Sequence, residues 1–204
     1  MERGWRAVAP KLLTALVADR IAAVPGVVRV AVDGSECAGP EEFAASLVEP
    51  LRERGRPAVH LRAAQFWRDA SVRLEYGHRD VDSYPDWLDV DALQREVLTA
   101  LDKRSEYLPS LRDPVTNRST REPARVAAPD SVVLVSGAFL LGRGLSFELT
   151  VHRAMSPAAM ARHTPDDDLW TLPALERYER QVASSDVADI VVRVDDPRHP
   201  AVRL

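Results

Sequence analysis

Apolar positions along the chain alternate between two periods, and the changes of period lay out its elements. Leu12, Leu13, Leu16, Val17 and Ile21 recur at helical spacing before Pro25-Gly26. That pattern predicts an amphipathic helix over residues 10–23, packed through its apolar stripe. "GVVRVAVDG" is rich in β-branched residues and reads as a strand ended by Gly34. "EEFAASLVEPLRERG" returns to the helical period with Phe43, Leu47 and Leu51 on one side, and Pro50 within it either kinks or shortens the helix. "RPAVHLRAA" is a second strand. From Gln65 to Pro129 the periodicity weakens, apart from "DVDALQREVLTALDK". This is a helix starting near Val90 or Asp91, with Leu93, Val97 and Leu101 on one face. "YLPSLRDPVTNRSTREPARVAAP" has no core pattern and reads as a surface crossing. "DSVVLVSGAFLL", "FELTVHRAM" and "ADIVVRVDD" are the third, fourth and fifth strands, with "PALERYERQVASS" a helix before the last.

Short apolar strands alternating with helices predict an α/β fold, with a mostly parallel five-stranded sheet covered on both faces. Ligands in such folds sit beyond the carboxyl ends of the strands. Those ends are Asp33-Gly34, Ala63 to Phe66, Ser136-Gly137 and His152-Arg153. With 204 residues, 46% of them hydrophobic, the chain can fill one substantial core. We divide it into an N-terminal helical extension over residues 1–26, packed on a main domain over residues 27–204.

Net charge changes the picture of partners. At -4 the chain has no basic field for a nucleic-acid backbone, so nucleic acid is excluded as a partner class. Cys37 is the only cysteine, which rules out an internal disulfide and fits a reducing compartment. The first apolar run is interrupted by Lys11, Asp19 and Arg20, unlike a signal peptide or a membrane span. A soluble cytoplasmic protein without a membrane partner is the expectation. There is no internal repeat.

The chemistry-bearing stretch follows the first strand. After Asp33-Gly34 come Ser35 and three more residues, then a second glycine, Gly39. That is the glycine spacing of a phosphate-binding loop, which would continue with Lys and then Ser or Thr. Here it continues with Pro40 and Glu41. "VRVAVDG" into Gly39, the Phe of "AAQF", "YPDWLDVDAL", "VVLVSGAFLL" and the closing "ADIVVRVDD" stand in the order found in P-loop nucleoside kinases. The chain resembles the uridine kinase-like proteins of actinobacteria over about residues 27 to 196. The resemblance implies a three-layer P-loop NTPase-like fold.

It also implies four chemical roles, and each position that should carry one is altered. A Lys that neutralises phosphate is replaced by Pro40, and a Ser or Thr that holds magnesium by Glu41. The acidic pair before the Phe, one member of which serves as base, is replaced by Ala64 and Gln65. The third-strand acid is Ser136. Ordinary ATP-dependent phosphoryl transfer is therefore not expected. Pro40 suits the first turn of a helix, and Glu41 and Glu42 favour the positive end of its dipole. With Glu36 and Asp33 they set a negative field where a triphosphate would sit. The expectation is a retained fold with a dismantled phosphate site and no resident metal or cofactor.

The substrate side keeps more. Candidate ligand contacts are Phe66, Arg73, Arg79, Tyr84, Asp86, Arg153 and Arg162. Tyr84 and Trp87 flank Asp86 in a setting suited to a planar ring, while Asp89 and Asp91 read as helix caps. For Arg73 and Arg79 the plain reading is solvated surface charge. The resemblance places a lid over "HRAMSPAAMARHTPDDDLW", with Arg162 the positional match to a phosphate-contacting arginine and His163 beside it. Asp166 to Asp168 read as a loop and helix cap rather than a metal site, and Cys37 as an incidental small residue.

Three readings follow. The first is a non-catalytic relative of uridine kinase that binds a nucleoside-like small molecule or a protein partner. The second is an active nucleoside kinase, needing ATP and magnesium, with Arg153, Arg162 or Arg118 in place of the lost Lys. The third is an interaction module, self-associating through the N-terminal helix with Trp5, Leu12 and Leu16.

Overall fold

The computed structural model describes residues 4–204. A short strand β1 (Arg6–Ala7) precedes helix α1 (Pro10–Ala22), strand β2 (Val28–Asp33), helix α2 (Pro40–Glu53) and strand β3 (Ala58–Arg62). The middle of the chain holds the short helix α3 (Ala70–Arg73). A continuous helical stretch follows, made of α4 (Val90–Leu93), a π-helical turn (Gln94–Leu98) and α5 (Thr99–Arg104). Strands β4 (Glu106–Tyr107) and β5 (Arg125–Val126) pair with each other, and β6 (Val132–Gly137) and β7 (Leu149–Ala154) return to the main sheet. Helices α6 (Pro157–His163), α7 (Leu172–Val182) and α8 (Ser184–Val187) lead into β8 (Ile190–Arg193) and β9 (Ala201–Arg203).

The main sheet runs β1-β9-β8-β7-β2-β6-β3. Its parallel part, β8-β7-β2-β6-β3, contains the five strands marked by the sequence pattern. The sheet nonetheless has seven strands, because β9 and then β1 add antiparallel at one edge. Strands of two and three residues are too short to show an alternation, so the pattern does not reveal them.

Alternation along β2 builds the two layers. Val28, Val30 and Val32 face a core formed with Leu13, Val17 and Ile21 of α1 and with Phe43, Leu47 and Leu51 of α2. Ala31 faces the other core, where Phe66, Leu93, Val97, Leu98 and Leu101 pack on Val133 and Val135. Leu13, Val17 and Ile21 of α1 thus belong to the same core as the first strand, with Leu16 packed against it, whereas Leu12 is exposed. Arg56 fastens α1 there: the guanidinium is buried and donates to the carbonyls of Ala22, Val24, Gly26 and Asp130 at 2.6–2.9 Å. These bonds satisfy carbonyls that the end of α1 leaves without intrahelical partners. Pro50 lies inside α2 without ending it, since the helix runs on to Glu53. Among the described residues no helix is long and apolar enough to cross a membrane.

Candidate functional site

Strand β2 has β6 on one side and β7 on the other, so chain connections leave it in opposite directions. Its carboxyl end is therefore the switch point where open α/β sheets form their crevice. The loop after it makes a 3-10 turn at Glu36–Ala38 and reaches Gly39 at φ +64°, a left-handed conformation that glycine adopts without strain. Pro40 then opens α2. Gly34 is required by proximity: a Cβ there would lie 3.0 Å from the Arg153 carbonyl.

The loop supplies its own ions. Glu42 folds back beside the helix start, with Oε2 3.2 Å from where a Cβ on Gly39 would stand. Arg153 reaches the loop from β7, donates from Nε to the Ala38 carbonyl at 2.5 Å, and lies 4.7 Å over the Phe43 ring. Burial pulls its guanidinium down to about 10, against the opposing pull of Glu42. A carboxylate and a guanidinium thus both stand beside Gly39, where α2 begins.

Ser136, Ala64, Gln65 and Glu41 stand in different settings. Ser136 is fully buried, and its Oγ lies 2.7 Å from His60 Nε2. Burial holds the His60 imidazole below its usual range, assisted by Arg62. Ala64 forms part of the cleft wall, and the Gln65 Oε1 accepts from the Arg62 backbone at 3.3 Å. The Glu41 carboxyl is pushed up mainly by its burial, with Glu36 and Glu42 adding to it and Arg62 at 3.8 Å opposing. Among the described residues no group of three or more His, Cys, Asp or Glu is arranged to hold a metal ion.

Next to the loop open two hollows of about 1050 and 860 Å³, both continuous with solvent and sharing Glu36, Trp67 and Tyr84. Glu36, Glu41 and Glu42 all line the first. Trp87, His163, Asp168 and Trp170 line the second. The wall between them is an aromatic cluster in which Tyr84 packs on Trp87, Phe139 and Trp170 with ring centroids 5.1–5.2 Å apart. Such T-shaped and tilted contacts are the favoured geometry for aromatic rings.

Behind the loop lies a network that sequence reasoning missed. The Asp33 carboxylate is fully buried: Oδ1 accepts from the Leu140 backbone at 2.9 Å and from the Tyr178 hydroxyl at 3.1 Å. Its Oδ2 accepts from His152 Nδ1 at 2.7 Å, and His152 Nε2 lies 3.5 Å from Glu179. Burial and the Asp33 charge push the Tyr178 hydroxyl well above the usual phenol range. The network joins β2, β7, the segment after β6 and α7 beneath the loop. The only sequence signal was a polar residue at the end of each of two apolar strands.

Several candidate contacts fall elsewhere. Phe66 is wholly inside the core and offers no face to a ligand. Arg73 is buried rather than solvated: its guanidinium stacks between Trp67 and Trp87 at 5.0 and 4.9 Å and donates to the Arg68 carbonyl. Arg79 is exposed and paired with Asp167 at 3.2 Å, and Asp86 is held by Arg143 at 2.8 Å. Arg162 and Arg118 are exposed and line neither hollow, so Arg153 is the arginine at the loop. Asp89 caps α4 through the Ala92 N–H. Cys37 is half-buried against Ser35 and Met155.

No protein-family model and no curated protein sequence matches the chain. Solved structures do match in fold. A protein described as a possible uridine kinase from Bacillus stearothermophilus superposes with a TM-score of 0.74 at 17% identity, covering 89% of this chain and 97% of that one. A candidate fructose transport system kinase from Silicibacter sp. TM1040 matches with a TM-score of 0.56 at 16% identity, over 82% and 94% of the two chains. The YGR205w protein matches with a TM-score of 0.59 at 10% identity, over 95% and 96%. The chain has the fold of uridine kinase-like and related P-loop kinases, and at these identities the likeness concerns the fold.

Proposed function

We propose that this chain is a non-catalytic member of the P-loop kinase fold that binds a nucleoside-like small molecule in its aromatic cleft. The observation that carries the reading is the self-occupied loop, where Glu42 stands beside the helix start and Arg153 is spent on the Ala38 carbonyl. A triphosphate arriving there meets Glu36, Glu41 and Glu42, and neither hollow is lined by a Lys; Lys11 of α1 lies in a separate hollow with Gly39 and Glu42. The neutral Ser136–His60 pair likewise leaves magnesium without its third-strand acid. The cleft walls, in contrast, offer ring faces of the size a base stacks on.

One observation favours a second reading. Arg153 is a cation touching the loop, so an active kinase with a displaced phosphate ligand predicts ATP binding that depends on it. Calorimetric titration with ATP and magnesium, then with uridine and cytidine, separates the two. Silence with ATP and heat with a nucleoside supports the proposed reading. Micromolar ATP binding, abolished in Arg153→Ala, overturns it in favour of the kinase. Silence throughout sinks both and points to a protein partner.

A further inference from the structure

The chemistry of the cleft restricts what its ligand can be. Resting on the reading above, we infer that the cleft selects an organic cation: a flat or compact head with a positively charged nitrogen, seated on the aromatic wall with the loop carboxylates in front of it.

Charge balance is the first support. Glu36, Glu41, Glu42 and Asp168 open on the joined hollows, against Arg62 and the titratable His163. Arg62 approaches Glu41, whereas Glu36, Glu42 and Asp168 form no ion pair among the described residues. Glu36, Glu41 and Glu42 line one hollow together, so a cation entering there meets three carboxylates.

The aromatic wall is the second, independent support. Ring faces attract cations, most strongly for Trp, and more so where water is excluded. This cluster already holds one cation in that manner, since the buried Arg73 guanidinium lies on both Trp67 and Trp87. Trp67 also lines both hollows, so it presents surface to a ligand as well.

The third support is an unused polar group. The Tyr84 ring is packed edge-on against three other rings, yet its hydroxyl makes no hydrogen bond among the described residues, and Tyr84 lines both hollows. Tyr84 and Glu36 line both hollows together, and Asp168 lines the second with them. A ligand nitrogen between Tyr84 and Glu36 would satisfy both. A phosphorylated ligand meets the same carboxylates with the wrong sign.

The test is a matched pair that differs in charge. Adenosine is neutral, and 1-methyladenosine, of nearly the same size, carries a positive charge on its base at neutral pH. Calorimetric titration of the full chain is expected to show 1-methyladenosine binding tighter by about ten-fold or more, as expected when cation–π and Coulomb attraction are added to equal stacking. The preference should shrink in high salt and in Glu36→Gln, with Asp168→Asn as a second variant if the first fails to fold. Equal binding of the pair overturns the inference and leaves the nucleoside reading standing. Uridine binding with 1-methyladenosine silent likewise overturns it alone. Silence with all three overturns both.

Discussion

The two halves of the cleft, only a loop apart, have been built on opposite principles. On the loop side the buried charges are answered from within: Asp33 by His152, Tyr178 and a backbone N–H, and Arg153 by the Ala38 carbonyl. On the aromatic side ring faces and the Tyr84 hydroxyl are left available, with carboxylates at the rim. Internal satisfaction of buried polar groups gives rigidity, because each member is costly to leave unpaired. Availability gives recognition. Under the proposed function the loop half acts as structure and the aromatic half as receptor, and each can be attacked separately.

The largest effect is expected at Asp33. Replacing it with Ala leaves the His152 Nδ1 and the Leu140 N–H without their acceptor inside the fold, and the Tyr178 hydroxyl with only the Leu141 carbonyl at 3.3 Å. Buried donors left unsatisfied cost about 1–3 kcal/mol each, so a loss of about 3–5 kcal/mol is expected in all. Urea denaturation of Asp33→Ala should show a loss of that size, and Asp33→Asn a smaller one, since the amide oxygen still accepts. A loss under about 1 kcal/mol for the Ala variant would mean that the loop side is not held by this network.

Trp87→Ala is expected to have the next largest effect, and to divide it differently. The substitution removes ring contacts to Tyr84, Trp67 and Trp170 and one of the two faces on which Arg73 lies. A half-buried ring costs less than the core range for large-to-small changes, so about 2–3 kcal/mol is expected from denaturation. Nucleoside binding should be lost with it, whereas Asp33→Asn should retain binding. If Asp33→Asn abolishes binding and Trp87→Ala spares it, the assignment of structure to one half and recognition to the other is reversed.

How far the sequence shows this division depends on whether a feature is local. The five parallel strands, α1 and α2 were legible, because long β-branched runs and helical stripes report their own burial. The turn into α2 was legible from Gly39 and Pro40, since a left-handed glycine followed by proline suits a helix start. What escaped depends on pairs distant in sequence. Asp33 and His152 are 119 positions apart and meet because β2 and β7 are neighbours in register. His60 meets Ser136 in the same way, across β3 and β6. Arg73 looked like a surface charge because nothing nearby in sequence announces two tryptophans closing on it.

The smallest predicted effect concerns that His60–Ser136 pair and sharpens the account of the loop side. Burial, then Arg62, lowers the folded-state affinity of His60 for a proton, and in the unfolded chain the imidazole titrates near the usual value of about 6.5. The unfolded state therefore binds more protons over the window that starts there and extends down to the folded-state value. Stability is fully present above about 6.5 and falls as the pH drops through that window. Denaturation midpoints between pH 8 and pH 5 should show this decline, and His60→Gln should flatten it while keeping a hydrogen-bonding partner for the Ser136 hydroxyl. An unchanged slope in the variant would place the titration elsewhere. It would also mean that Ser136 tolerates a positive charge beside it, contrary to the neutral pair that the burial of His60 favours.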